Sequence, residues 1–207
     1  MNKHFIRRTA LVAAAGAASF VLAACGSDKD ASAGHDGHGS SASATASAAV
    51  SQGEHNAADV AFAKGMIPHH RQAVEMADLA SRRAQSAQVK ILAGEIKKAQ
   101  APEIKTLSGW LTSWGEEVPA EGVMDHSMHG MDGMMTGEDM DSLKKSSGKA
   151  FDTAFLEMMI KHHEGAVDMA KTEKADGSFP DAKKMADAII TSQTAEISRM
   201  NSLLGTG

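Results

Sequence analysis

Tyrosine is absent from the 207 residues, and two tryptophans and six phenylalanines make up the aromatic content. β-Branched runs are short as well, while Ala and Met are abundant, so helix is favoured over sheet. There is one cysteine, Cys25, which excludes an internal disulfide and a thiolate metal cluster. An excess of basic charge is also missing: 21 Lys and Arg stand against 26 Asp and Glu, a formal charge of −5. A nucleic-acid binder should be basic, whereas an acidic chain suits cations. The apolar run Leu11–Val21 is too short for a membrane span.

The first 55 residues do not read as globular. Lys3, His4, Arg7 and Arg8 precede the apolar run, which ends Leu22-Ala23-Ala24-Cys25-Gly26. That ending resembles a bacterial lipobox, so residues 1–24 are expected to be a lipoprotein signal peptide and Cys25 the lipidated first residue. The competing reading is an ordinary cleaved signal with an incidental cysteine. Arg7-Arg8 is only a weak match to a twin-arginine signal, so Sec and Tat export both stay open. Removal of residues 1–24 takes away three cations and no acid, moving the charge from −5 to −8. Residues 25–55, mostly Ser, Ala, Gly and Asp, cannot bury enough apolar surface to fold and are expected to be a flexible tether. A lipid on Cys25 would anchor the chain to the membrane from outside the cytoplasm without spanning it.

About 150 residues remain, enough for one domain with one core. They contain one pattern twice. Residues 59–77 and 152–170 are identical at eleven of nineteen positions, with a constant offset of 93. The shared residues include Asp59/Asp152, Met66/Met159, His69/His162 and His70/His163, and the same offset carries Gln100 onto Gln193 and Glu103 onto Glu196. A two-helix unit has been duplicated. Helical periodicity predicts helices over about Ala57–Arg83, from near Ser86 to Trp114, over Lys149–Lys174, and from Pro180 to Leu204. The domain at 56–205 is therefore expected to be an all-α four-helix bundle. Hairpins at 56–115 and 149–205 are joined by a long Met- and His-rich crossover at 116–148. Pro68 and Pro102 should kink the first two helices. Pairing about the first turn puts Gln100 beside His70, and about the second Gln193 beside His163, with Glu103 and Glu196 one turn away.

Each half thus sets His, Met, Gln and carboxylate on core-facing lines, and buried polar groups must be paired or bind something. Imidazole with thioether points to copper, because soft sulfur prefers Cu(I). Met66, His69, His70, Met159, His162 and His163 are the candidate ligands in the bundle. Asp59, Asp152, Gln100, Gln193, Glu103 and Glu196 are candidates to support them. Adjacent histidines on a helix diverge by about 100°, so a pair does not easily hold one ion. The plainer alternative makes Asp59 a capping acid, His70 and Glu103 a hydrogen-bonded pair, and the methionines core filler.

Five Met and two His fall within residues 124–135. Thioethers beside Gly, Asp and Ser in a loop gain nothing from packing, whereas a flexible run of them can wrap Cu(I), with Ag(I) as surrogate. Met124, His126, Met128, His129, Met131, Met134 and Met135 are the candidates there, and biased linker composition is the alternative. The Glu-x-x-His signature of di-iron carboxylate bundles does not occur, which disfavours a ferroxidase.

The doubled Phe-x-x-x-Met-Ile-x-His-His-x-x-Ala-x-x-Met-Ala resembles the bacterial secreted family catalogued as domain of unknown function 305, over roughly Ala57–Leu204. The resemblance implies a ferritin-like four-helix bundle, exported and associated with copper handling, and it carries over to Met66, His69, His70, Met159, His162 and His163. The expectation is a membrane-anchored extracytoplasmic protein that buffers, stores or hands on Cu(I), and not an enzyme. The metal ion and the membrane are its expected partners; nucleic acid is not, and no protein partner is legible. The competing expectations are a metal-dependent redox enzyme of ferritin-like fold and a structural lipoprotein that binds no metal.

Overall fold

The structure, a computed structural model, describes residues 54–121 and 133–205. It is all-helical, with α1 at Ala57–Arg83, α2 at Ala87–Trp114, α3 at Gly137–Lys145, α4 at Gly148–Asp176 and α5 at Pro180–Leu204. None of these is long and apolar enough to cross a membrane. The expected lipobox at Cys25 and the expected tether up to residue 53 lie outside the described residues, as do residues 122–132 of the crossover.

The helix ends follow from their local chemistry. Asn56 caps α1 in a capping box, its side chain accepting from the Ala58 and Asp59 amides while its own amide donates to Asp59. Ser86 caps α2, and Gly115, at φ 76°, closes it in the left-handed region. Pro180 opens α5, where its missing N–H costs nothing. Pro68 and Pro102 each remove a backbone donor, but α1 and α2 run on through them. Four helices were expected; α3 is a fifth, inside the crossover. Its capping box, Thr136 with Asp139, is visible in the sequence as Thr-x-x-Asp.

The aspartates of the repeat tie the hairpins together. The carboxylate of Asp59, on α1, accepts from the amides of Ser178 and Phe179 in the α4–α5 turn at 3.2 and 2.9 Å. The carboxylate of Asp152, on α4, accepts from the amides of Gln85 and Ser86 in the α1–α2 turn at 3.0 and 2.8 Å. Each half therefore caps the other's turn. Burial opposes ionisation of Asp59, but the amides of Asn56, Phe179 and Ser178 outweigh it and hold the carboxyl below its ordinary value.

Within the bundle, α1 packs on α2, α4 on α5, and α1 on α4. The apolar interior is divided in two. One core contains Met76, Leu92, Ile96, Phe151, Phe155, Met159 and Met200. The other contains Phe62, Met66, Ile67, Leu107, Leu111 and Ile189. The offset of 93 exchanges them, taking Phe62 to Phe155, Met66 to Met159 and Ile96 to Ile189. The crossover breaks this symmetry, because Met135, Met140 and Leu143 are buried in the first core alone.

Candidate metal centre

Between the two cores lies a polar layer. His69, His70, His162 and His163 are all fully buried, and Gln100 and Gln193 nearly so. The layer falls where the repeat puts its His-His pair on α1 and α4 and its Gln-x-x-Glu on α2 and α5. His70 Nε2 lies 2.7 Å from the Glu103 carboxylate, and His163 Nε2 lies 2.7 Å from that of Glu196. Both glutamates remain partly open to solvent.

The His70–Glu103 bond is the pair named by the plainer of the two sequence readings; turn arithmetic instead sets His70 beside Gln100 and His163 beside Gln193, with the glutamates one turn away. The glutamates, three residues further on, are the partners. Helical side chains lean toward the N-terminus of their own helix. In an antiparallel hairpin, His70 leans away from the turn and Glu103 leans toward it. The tips therefore meet several positions off the register of their Cα atoms.

A carboxylate only accepts, so in each pair the imidazole Nε2 donates, and it is the neutral ring in that tautomer that has an Nδ1 lone pair to offer. Neither His70 Nδ1 nor His163 Nδ1 has a hydrogen-bond partner among the described residues, and nor has either amide atom of Gln100 or the Oε1 of Gln193. Each such buried atom costs about 1–3 kcal/mol. A carboxylate on one ring nitrogen with a lone pair on the other is the arrangement found behind metal-bound histidines. Met66 and Met159, both fully buried, stand four residues before His70 and His163, on the same helical face.

His69 and His162 meet across α1 and α4, with ring centroids 3.7 Å apart and planes tilted by 40°. Rings this close leave no room for an ion between their faces, since metal–imidazole bonds run to about 2.0 Å on each side. An ion shared by this pair would have to sit at the ring edges. Burial, and then the neighbouring imidazoles of His69, His163 and His70, hold His162 well below its ordinary pKa. It stays neutral, with a lone pair to offer.

No three of His, Cys, Asp and Glu converge as a metal cage among the described residues. The donor set that remains is imidazole with thioether, which suits a soft ion of low coordination number. Asp59 and Asp152 are not gathered into this layer. They serve the helix turns, and each lies about 15 Å along its helix from the histidines at 1.5 Å per residue.

The crossover ligands divide. Met124, His126, Met128, His129 and Met131 lie outside the described residues. Met134 is partly exposed. Met135 is buried at 8 % exposure, and its backbone is held at both ends by the Gln72 side chain at 2.8 Å. Met135 is therefore core, as is Met140, which departs from the expectation of an exposed thioether. Sequence reasoning also passed over Gln72, and over Arg71, whose guanidinium donates to the carbonyls of Pro119 and Ala120. The signal for both was available: Arg71 and Gln72 are positions where the repeat fails, standing opposite Glu164 and Gly165.

The profile of the family described as Domain of unknown function (DUF305) matches residues 59–204. Among solved structures, a DUF305 protein of Streptomyces coelicolor described as secreted is 34 % identical, with a TM-score of 0.65 over 72 % of this chain and 91 % of that one. A DUF305 fragment from Deinococcus radiodurans is 29 % identical, with a TM-score of 0.65 over 72 % and 97 %. CopM in its Cu(I)-bound form is 35 % identical, with a TM-score of 0.58 over 70 % and 94 %, and CopM structures with Cu(II) and with Ag match as well. No curated protein sequence matches the chain.

Proposed function

The chain belongs to the DUF305 family, and from that premise we propose that it is an extracytoplasmic copper-binding protein, tethered to the membrane through Cys25, that takes up Cu(I) and buffers it or hands it on. The observation that carries this reading is the duplicated carboxylate–imidazole pair. Glu103 and Glu196 fix the tautomers of His70 and His163, whose buried Nδ1 atoms are left unpartnered one turn from Met66 and Met159. Thioether and neutral imidazole are the donors Cu(I) prefers. The likeness to CopM, solved in Cu(I)-, Cu(II)- and Ag-bound forms, supports it. So do the lipobox at Cys25 and the thioethers of the crossover, features of the sequence. Copper is cargo here, held and released rather than turned over, and the chain is not an enzyme.

The test is an anaerobic Cu(I) titration of the purified protein against a competing chelator. Three proteins are compared: wild type, the double variant Glu103→Gln/Glu196→Gln, and a triple variant with Met124, Met128 and Met131 changed to Leu. Point changes are preferable to deleting residues 124–135, because Met135 is part of the core. Loss of a carboxylate behind a ligating histidine should weaken binding by about 10–100-fold. The triple variant should lower the number of ions held. A wild-type protein that cannot take Cu(I) from a weak chelator would end the copper reading and leave the polar layer as a device that fixes helix register.

A further inference from the structure

The two halves differ most tellingly where the crossover returns to the bundle. Gly133, at φ 83°, lies so close to α4 that a Cβ there would come within 2.6 Å of the Lys161 carbonyl oxygen and 3.0 Å of the Gly165 Cα. Two residues on, Gln72 grips Met135. Between these two clamps Met134 is held over α4, at a cleft of about 500 Å³ that it lines together with Met158, Asp139, Lys161, Glu164 and Asp168.

Met158 is a departure from the repeat, since its counterpart in α1 is Gly65. Neither Met158 nor Met134 is fully buried; Met158 packs with one side against the first apolar core, whereas Met134 packs against neither. Core filling therefore accounts for Met135 but not for Met134. Of the carboxylates that line the cleft, Asp139 is engaged in the α3 cap and Asp168 is paired with Lys171, which leaves Glu164 to attract a cation. Met158 precedes His162 by four residues, one turn or about 6 Å along α4. The cleft thus stands between the end of the methionine-rich segment and the buried imidazoles.

We propose that Met134 and Met158 form a two-thioether site for a soft monovalent cation in this cleft, separate from the histidine layer and one helical turn outside it. The proposal rests on the copper-binding reading given above. Two thioethers suit Cu(I) or Ag(I) and offer little to Zn(II) or Mg(II). A carboxylate of the cleft supplies the neutralising charge. The site is a way-station: open to solvent where the histidines are closed, and adjacent to both.

The experiment uses the full mature chain with 13C-labelled methionine methyl groups, titrated with Ag(I). The Met134 and Met158 signals are assigned by their loss in Met134→Leu and Met158→Leu. The two methyl signals should move together, and should still do so when Met124, Met128 and Met131 are Leu. In Met134→Leu the Ag(I) affinity read at Met158 should fall by about a hundredfold, the gain of joining two donors on one scaffold. If Met158 stays still while other methionines respond, or responds equally in Met134→Leu, the two-thioether site is refuted and the copper reading survives. If no methionine methyl moves at any Ag(I) level, both fail. A circular dichroism spectrum matching wild type shows that each Leu variant is folded.

Discussion

Glu173 offers a sharp test of the electrostatics. It is 1 % exposed and stands on α4 where the other half of the repeat has Ala80. Burial first, and then the neighbouring Asp59, push its carboxyl from an ordinary 4.5 up to about 8, with Lys183 opposing. Between those values the folded chain holds a proton that the unfolded chain has released, so stability falls as pH rises. The stabilisation is complete below 4.5 and is lost as pH climbs through about 8. Glu173→Gln keeps the shape and removes the titration. At 1.36 kcal/mol per pH unit the ceiling on its advantage at pH 7 is about 3.4 kcal/mol. Relaxation of the turn around the charged carboxylate reduces this, so we take roughly 2 kcal/mol. For a domain of this size that is a rise in melting temperature of about 4–8 °C. Thermal unfolding followed by circular dichroism at pH 5, 7 and 8 reads it directly. The gain should be near zero at pH 5 and should grow with pH. An equal effect of the substitution at pH 5 and 8 would refute the reasoning; the difference between variant and wild type is the reading, because neutral His162 gives both proteins the opposite pH trend below about 6.5.

Asp152→Ala strips two amides of the α1–α2 turn of their acceptor and should cost about 1–2 kcal/mol in urea unfolding, as loss of a good cap does; no loss would show that water replaces the carboxylate. Gly133→Ala forces a left-handed φ on a side chain aimed at the Lys161 carbonyl, so it should cost at least about 1–2 kcal/mol and expose residues 133–145 to limited proteolysis. Cu(I) affinity should change little between about pH 5 and 8 if thioethers dominate, and fall steeply near 6.5 if imidazoles do; competition titrations at three pH values separate these outcomes.

Much of the bundle was written in short-range signals. Asn56 with Asp59, Ser86, Gly115 and Pro180 mark helix ends by local hydrogen bonding, and the observed ends fall within two residues of those expected. The polar layer was legible because duplication names the same residues twice. The partners within it were less so, since cross-helix register depends on side-chain lean as well as on residue count. That is why His70 meets Glu103 and not Gln100. α3 was missed although Thr136 and Asp139 announce it, because a run of methionine, glycine and serine directed the reading toward a loop. The seat of Met135 on Gln72 was not legible, because a side-chain amide gripping a backbone 63 residues away leaves no periodic trace. Nothing in the sequence marks Glu173, and only the packing of α4 against Asp59 and the α4–α5 turn shows its burial.

The exchange of caps between Asp59 and Asp152 says something about how such a chain could come to exist. A single hairpin with this sequence carries an acid that reaches beyond its own helix and a turn whose amides it cannot satisfy. A second copy, facing it, supplies both needs at once. The unit is thus built to be completed by its own likeness, and the chain behaves as a dimer whose partner is permanently attached. On this logic the crossover is a leash before it is anything else. The stretch before Gly133 is free to change as long as Gly133, Met135 and the buried residues of α3 find their places, which leaves that stretch open to acquire chemistry at little cost to the fold. Two fragments divided between residues 121 and 133 should still recognise each other in solution.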